Sequence, residues 1–284
     1  MINLDHKPDL REKVCVVTGG AGILCGDFAK ALAQCGAKTA ILDLNETMGK
    51  KVADEITDKG GIAKAFKCNV LEKDSVKEVH QNVLESFGKC TILINGAGGN
   101  NPRATCDDEY FNKDLFGKEG HKSFFDLEKS GVEFVFNLNF MGTMVPTQEF
   151  ALDMLDNPAS TIINISSMNA FTPLTKIPAY SGAKSAVSNF TQWLAVHFAK
   201  SGIRVNAIAP GFFSTAQNKT LLWNDDGTPT ARTHKILNAT PMGRFGEPEE
   251  LLGTLMWLVD NKSSGFVTGI VVPVDGGFSA YSGV

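Results

Sequence analysis

Cysteine occurs only six times in 284 residues, and no two cysteines are spaced C-x-x-C. Several of Cys15, Cys25, Cys35, Cys68, Cys90 and Cys106 lie inside apolar, strand-like runs. That pattern predicts small buried hydrophobes in a reducing compartment rather than a disulfide framework. The five histidines are scattered with no H-x-x-x-H pair, so no metal site is expected. No apolar run approaches the length of a membrane span. The stretch MINLDHKPDLREK at positions 1–13 is polar and charged, unlike a secretory signal, and the expected location is the cytoplasm. Basic residues are not in excess: 27 Lys and Arg face 31 Asp and Glu, a formal charge of −4. Neither a nucleic acid nor an anionic membrane is therefore an expected partner. The spacing G-x-G-x-x-G is missing as well, because Gly19, Gly20, Gly22 and Gly26 do not fit it.

What is present is enough apolar matter, 43% of the residues, for a full core. It comes in short β-branched runs that alternate with amphipathic stretches. Candidate strands are 14–18, 39–43, 63–68, 91–95, 161–166, 204–209 and 270–275. Most are nearly continuous in apolar residues, as strands buried on both faces are. Candidate helices are 25–35, 46–59, 72–87, 181–200 and 248–260, with Gly36, Gly60, Gly88 and Gly202 placed to stop four of them. The alternation predicts one α/β domain over 1–284, a mostly parallel, doubly wound sheet with helices on both faces. Two stretches break the pattern: a polar and aromatic insertion near 99–130, and a segment near 212–241. Each follows the carboxyl end of a strand, where ligands bind in doubly wound sheets.

The run KVCVVTGGAGILCG reads as a strand, a glycine-rich turn and a helix start. In that context backbone N–H groups can face a pyrophosphate. Asp43 ends the second strand 24 residues after Gly19, where a carboxylate can accept from both hydroxyls of an adenosine ribose. It would repel a 2′-phosphate, and no Lys or Arg at 19–26 or 44–45 would neutralise one. NAD is expected over NADP; the alternative for Asp43 is a turn residue that merely closes a strand.

The stretch NISSMNAFTPLTKIPAYSGAKSAV carries a reacting group. Tyr180 and Lys184 are four apart, so one helical face presents both. Ser167 comes 13 residues before Tyr180, just past a buried strand. Reducing a carbonyl by hydride transfer needs a proton for the developing alkoxide. A phenol can give it if a neighbouring ammonium and an oxidised nicotinamide stabilise the phenolate, while a serine hydroxyl holds the substrate oxygen. Tyr-x-x-x-Lys alone also describes any surface helix pair; tyrosine, however, occurs only three times.

With these residues in order, the chain resembles the short-chain dehydrogenase/reductase family over nearly its whole length. The family's T-G-x-x-x-G-x-G loop falls on 18–25, with Ile23 and Cys25 where its later glycines stand. Its N-N-A-G segment falls on Asn95-Gly96-Ala97-Gly98, its N-x-x-G-T on Asn139, Gly142 and Thr143, and its P-G on Pro210-Gly211. GRFGEPEEL and VTGIVVPVDGG match its C-terminal signatures. The resemblance implies a Rossmann-like sheet of about seven strands and a homotetramer. It implies a catalytic set in which Tyr180 is the acid/base, Lys184 tunes it, Ser167 orients the substrate and Asn139 positions a water on a proton path. Satisfying backbone groups at a helix irregularity is the other reading of Asn139. For the dinucleotide it implies Gly19, Gly20, Gly22, Ile23, Leu24, Asp43, Asn69, Val70, Asn95, Gly96, Ala97, Tyr180, Lys184, Pro210, Gly211 and Thr215, with Gly20 and Gly22 giving the loop its freedom. Asn69 stands where the family has an aspartate near the adenine.

Within the family, TGGAGILCG, the insertion after GAGGNNPRAT and the terminal VVPVDGGFSAYSGV resemble the D-mannonate oxidoreductases of this short type, which interconvert D-mannonate and D-fructuronate. Another sugar-acid or polyol dehydrogenase, such as one acting on gluconate at C5, is the alternative. A sensor or scaffold that has lost the reaction is a third reading, and the intact catalytic set argues against it. A sugar acid needs a cation for its carboxylate. Arg103 is the expected clamp, supported by Asn101 and Asn169, with Lys176 competing; pairing of Arg103 with the acidic run 107–109 is the other reading. The segment near 212–241 is expected to be a lid using Phe212, Phe213 and Trp223, or else an ordered helical hairpin.

Overall fold

The computed structural model describes residues 6–155, 157, 159–215 and 222–283. Among them seven strands form one parallel sheet in the order β3-β2-β1-β4-β5-β6-β7. They are β1 Val14–Thr18, β2 Lys38–Asp43, β3 Ile62–Lys67, β4 Ile92–Asn95, β5 Thr161–Ile165, β6 Arg204–Pro210 and β7 Val271–Val274. Each lies within a residue of its expected bounds. The helices are α1 Ile23–Gln34, α2 Glu46–Thr57, α3 Lys73–Phe87, α4 Lys129–Phe136, α5 Gly142–Met154, α6 Pro178–Phe198, α7 Ala231–Asn238, α8 Leu252–Val259 and α9 Asn261–Ser264.

Strand side chains alternate between two cores. Cys15, Val17, Ile92, Ile94 and Ile163 pack with α1, α2 and α8. Val14, Val16, Leu93 and Ile162 pack with α3, α5 and α6 on the other face. Burial on both faces is why the strands read as unbroken apolar runs. The predicted helix stops Gly36, Gly60, Gly88 and Gly202 all have positive φ, between 73° and 98°. All six cysteines are buried and unpaired. No helix among the described residues is long and apolar enough to cross a membrane.

The chain runs outward from β1 to β3, then returns to place β4 beside β1. Ligands of such sheets lie at this reversal, outside the carboxyl ends of the strands. There Thr18 and Asn95 are register partners at the ends of β1 and β4. The insertion holds only two short 3-10 turns, Pro102–Ala104 and Phe124–Asp126. After it, α4 runs into a widened π turn, Asn137–Met141, before α5. The segment near 212–241 is not wholly irregular, since it contains α7; positions 216–221 lie outside the described residues.

Candidate active site

The ends of β1, β2, β4, β5 and β6 open on a cavity of about 510 Å3. Gly19, Gly22, Ile23, Leu24, Asp43, Gly96, Ala97, Tyr180, Lys184, Pro210, Gly211 and Thr215 line it, as expected for a dinucleotide site. Four expected residues do not. Asn95 is turned into the protein, where its amide donates to Thr147 Oγ1 and Asn164 Oδ1, both at 2.9 Å. Gly20 is packed against β2: a Cβ there would lie 2.9 Å from Ile41 Cγ2. Asn69 lies in the turn that precedes α3, its amide donating to Glu72 at 2.8 Å and its oxygen accepting from Leu71 N–H. Val70 is buried, and a Cβ on Gly142 would come 3.1 Å from its Cγ2.

The turn's freedom resides in Gly19, not in Gly20 or Gly22. Gly19 has φ 64°, and a Cβ on it would stand 2.9 Å from the Ala97 backbone. The β1 and β4 turns thus touch with no side chain between them. Thr18 ties them, its hydroxyl accepting from Gly96 N–H at 3.1 Å and Ala97 N–H at 3.3 Å. The loop's departure at Cys25 also has a physical reason. The Cys25 sulfur occupies the place a Gly96 side chain would take. Burial pushes that thiol up to about 12, so it is neutral and packs as a small hydrophobe.

Asp43 serves the structure as well as the cavity. Its carboxylate accepts from Ala21 N–H in the glycine turn at 3.1 Å and from Asn45 N–H at 2.9 Å. Asp43 thus closes β2 as a turn residue and also lines the cavity. A cradle of bare backbone at Gly19 and Gly22, an α1 N-terminus and a carboxylate at the end of β2 fits a dinucleotide.

The expected catalytic residues Ser167, Tyr180 and Lys184 line the same cavity. Ser167 follows β5, its side chain accepting from Asn169 N–H at 3.2 Å. Pro178 opens α6 and brings Tyr180 and Lys184 onto its inner face. The Tyr180 and Ser167 hydroxyls hydrogen-bond. The adjacent Ser166, whose hydroxyl could also be read as the one that meets the substrate, is engaged by Lys184 O and Ser188 Oγ at 3.2 and 2.7 Å. Lys184 is 4% exposed, and its ammonium donates to Ile165 O at 2.7 Å. Asn139 sits in the π turn, donating to Val135 O and Gly99 O at 2.8 and 2.7 Å. A Cβ on Gly98 would lie 2.7 Å from Asn139 Oδ1 and 3.1 Å from Lys184 Nζ, so glycine keeps this corner open. Asn139 thus satisfies backbone groups at a helix irregularity and stands beside the lysine.

Electrostatics within the protein run opposite to the expected activation. Burial raises the Tyr180 phenol above its ordinary value of 10.0, with the Ser167 hydrogen bond opposing in part. Burial lowers Lys184 to about 8. Desolvation is the largest cause in both cases, and it holds the tyrosine in its neutral form.

This order of elements and groups has a match. The family model for short chain dehydrogenases covers residues 13–225. The chain belongs to that family. It is 60% identical over 283 residues to an uncharacterized oxidoreductase of Haemophilus influenzae, covering 100% of this chain and 99% of the relative. With an uncharacterized oxidoreductase of Bacillus subtilis it shares 52% over 276 residues, 97% and 98% of the two chains. A Haemophilus influenza crystal structure with bound NAD, provisionally assigned as a D-mannonate oxidoreductase, superposes with TM-score 0.95 at 61% identity over 98% of both sequences. A provisionally assigned gluconate dehydrogenase from Agrobacterium tumefaciens superposes with TM-score 0.83 at 26% identity, covering 96% and 98%.

A second cavity of about 510 Å3 adjoins the first, with Phe212 lining both. The loop 172–177, α7, Phe278 and Glu109 enclose it. Of the expected substrate residues, only Lys176 lines this cavity. Arg103 points elsewhere. Its guanidinium donates to Ser130 Oγ at 3.3 Å and stands 3.9 Å from Glu128, not against the run 107–109. Asn101 caps the same turn, accepting from Arg103 N–H at 2.9 Å. Asn169 is buried, and its side-chain oxygen has no hydrogen-bond partner among the described residues. Phe213 is buried and lines the first cavity, whereas Trp223 packs on Phe245 with ring centroids 6.5 Å apart and lines neither cavity. Sequence reasoning did not single out Thr18, which ties the β1 and β4 turns, or the α7 residues Arg232 and Lys235, which line the second cavity. The run ARTHK held the signal: two cations one helical turn apart in a segment already expected to face substrate.

Proposed function

We propose that the protein is an NAD-dependent oxidoreductase that interconverts D-mannonate and D-fructuronate. The observation that carries this reading is the 61% identity, across 98% of both sequences, to a provisionally assigned D-mannonate oxidoreductase with bound NAD. The intact Ser167–Tyr180–Lys184 group and Asp43 at the end of β2 support it. The dinucleotide, when bound, carries the hydride. In the reducing direction the Tyr180 hydroxyl gives its proton to the carbonyl oxygen, which becomes the product hydroxyl. The Ser167 hydroxyl donates a hydrogen bond to the same oxygen, and the Lys184 ammonium stabilises the phenolate left behind. A water beside Asn139 at the open Gly98 corner would return the proton. Oxidation reverses each step.

The likeness to a provisionally assigned gluconate dehydrogenase favours gluconate as the second reading. Purified enzyme, assayed with D-fructuronate, 5-keto-D-gluconate and simple polyols against both cofactors, separates the two. D-Fructuronate with NADH should give the highest kcat/KM. A higher value for 5-keto-D-gluconate moves the assignment, and a preference for NADPH overturns the reading of Asp43. Six unpaired, buried cysteines support a reducing, cytoplasmic setting. The working state we propose is a homotetramer, with the segment around Phe212 closing over substrate.

A further inference from the structure

We infer that Arg232 on α7 binds the carboxylate of the sugar acid in the second cavity. The inference rests on the sugar-acid reading above and deepens it. A keto-hexuronic acid carries its carbonyl near one end of the carbon skeleton and its carboxylate at the other. A site for it therefore needs a reacting end and, a few carbons away, an anion-binding end. The two adjoining cavities have that arrangement: Ser167 and Tyr180 line the first, and the loop 172–177 leads from them into the second.

The charge of the second cavity is the deciding feature. Its walls carry three cations, Lys176, Arg232 and Lys235, against a single carboxylate, Glu109. The protein as a whole is net acidic at −4, so this local excess runs against the background. Two of the cations are already engaged. Lys235 pairs with Glu109 at 2.7 Å, and the Lys176 ammonium donates to Asp107 O at 2.5 Å. Among the described residues Arg232 makes no hydrogen bond or ion pair. A guanidinium fork can hold a carboxylate with two parallel hydrogen bonds, which a lysine cannot copy. Arg103, the other arginine considered for this role, lies outside both cavities.

The test compares D-fructuronate with its uncharged methyl ester on the wild type and on Arg232→Ala, Arg232→Lys, Lys176→Ala and Arg103→Ala. NADH binding is followed by fluorescence as a check that each variant is folded. Arg232→Ala should raise the KM for the acid roughly 10–100-fold, the range of a lost charge-assisted hydrogen bond. It should change kcat less, leave NADH affinity intact and hardly alter the KM for the ester. Arg232→Lys should recover only part of the loss. An unchanged KM for the acid in Arg232→Ala overturns the inference. So does an equal loss for acid and ester, or a larger effect from Lys176→Ala or Arg103→Ala. Should the wild type reduce a different sugar acid, the same comparison is run on that acid and its ester, so the substrate assignment and the clamp fail separately. A wild type that prefers an uncharged ketone overturns both.

Discussion

Tyr180 and Lys184 lie one turn apart on α6, and burial moves them in opposite directions along the pH scale. Burial keeps the phenol protonated, while the lysine is buried and held near 8 with one carbonyl partner. Replacing Tyr180 by Phe removes the donor and leaves the dinucleotide cradle alone. Turnover should drop by roughly 10²–10⁴-fold, the usual share of a general acid, with NADH affinity nearly unchanged; near-normal turnover would sink the mechanism. Lys184 makes a second prediction, about stability. Its folded value of about 8 lies below the ordinary 10.5, so between these limits the unfolded protein binds a proton that the folded one does not. Stability therefore rises with pH across that window, and the cost of the buried charge is fully present below it. Relative to wild type, Lys184→Met should be inactive but more stable by roughly 0.5–2 kcal/mol at neutral pH, with the gap closing above pH 8. Denaturant titrations of the cofactor-free protein at several pH values measure this, and a gap that widens with pH contradicts it. These residues could be found in the sequence because proton transfer demands particular types at a helical spacing. Arg103 and Arg232 could not be sorted that way. Arg103 follows the β4 turn closely in sequence, but its own turn aims it at Ser130, while Arg232 faces the cavity only because α7 docks beside the loop 172–177.

Strands were the most legible elements, since burial on both faces leaves a continuous apolar run with glycine at the helix stops. The helical stretch from α4 through α5 was not. The apolar residues of α5 surround its axis rather than forming a stripe, Pro146 sits inside it, and the π turn at Asn137–Met141 breaks the 3.6-residue period between α4 and α5. The glycine turn was legible in function but misleading in detail. Gly19 makes the turn, and Cys25 replaces a family glycine because Gly96 leaves room for its sulfur. That relation is testable. Gly96→Ala should destabilise the protein by about 1–3 kcal/mol through overpacking. In a Cys25→Gly background the same change should cost less, by a coupling within the roughly 0.5–3 kcal/mol seen for touching residues. Rescue will be incomplete, because a Gly96 Cβ would also lie 2.9 Å from the Thr18 carbonyl oxygen. Urea titrations of the four proteins give the cycle; strict additivity would show that the sulfur and the missing side chain do not share a space.

On the scale of the molecule, the unexplained feature is an apolar outer surface. The inner faces of α5 and α6 are spent on the sheet, yet their outer faces expose Leu152, Leu155, Trp193 and Val196, the last two at 56% and 79%. Between the helices lies a hollow of about 360 Å3 lined by these leucines, Phe190, Trp193 and His197. Trp193 stacks on His197 with centroids 4.6 Å apart, so the surface is partly ordered before anything covers it. A contiguous apolar patch of this kind is costly in water and marks a contact site. In a proposed homotetramer, α5 and α6 of one copy would meet those of another across a two-fold axis, burying the patch on both. The consequence reaches the chemistry, because α6 also carries Tyr180 and Lys184. Trp193→Glu with Leu152→Glu places two charges on each side of that contact. Sedimentation should then show a smaller species than the wild type, with the far-ultraviolet circular dichroism spectrum retained. If both proteins sediment as tetramers, the contact lies on another face, and the exposed edge of the sheet at β7 becomes the surface to change next.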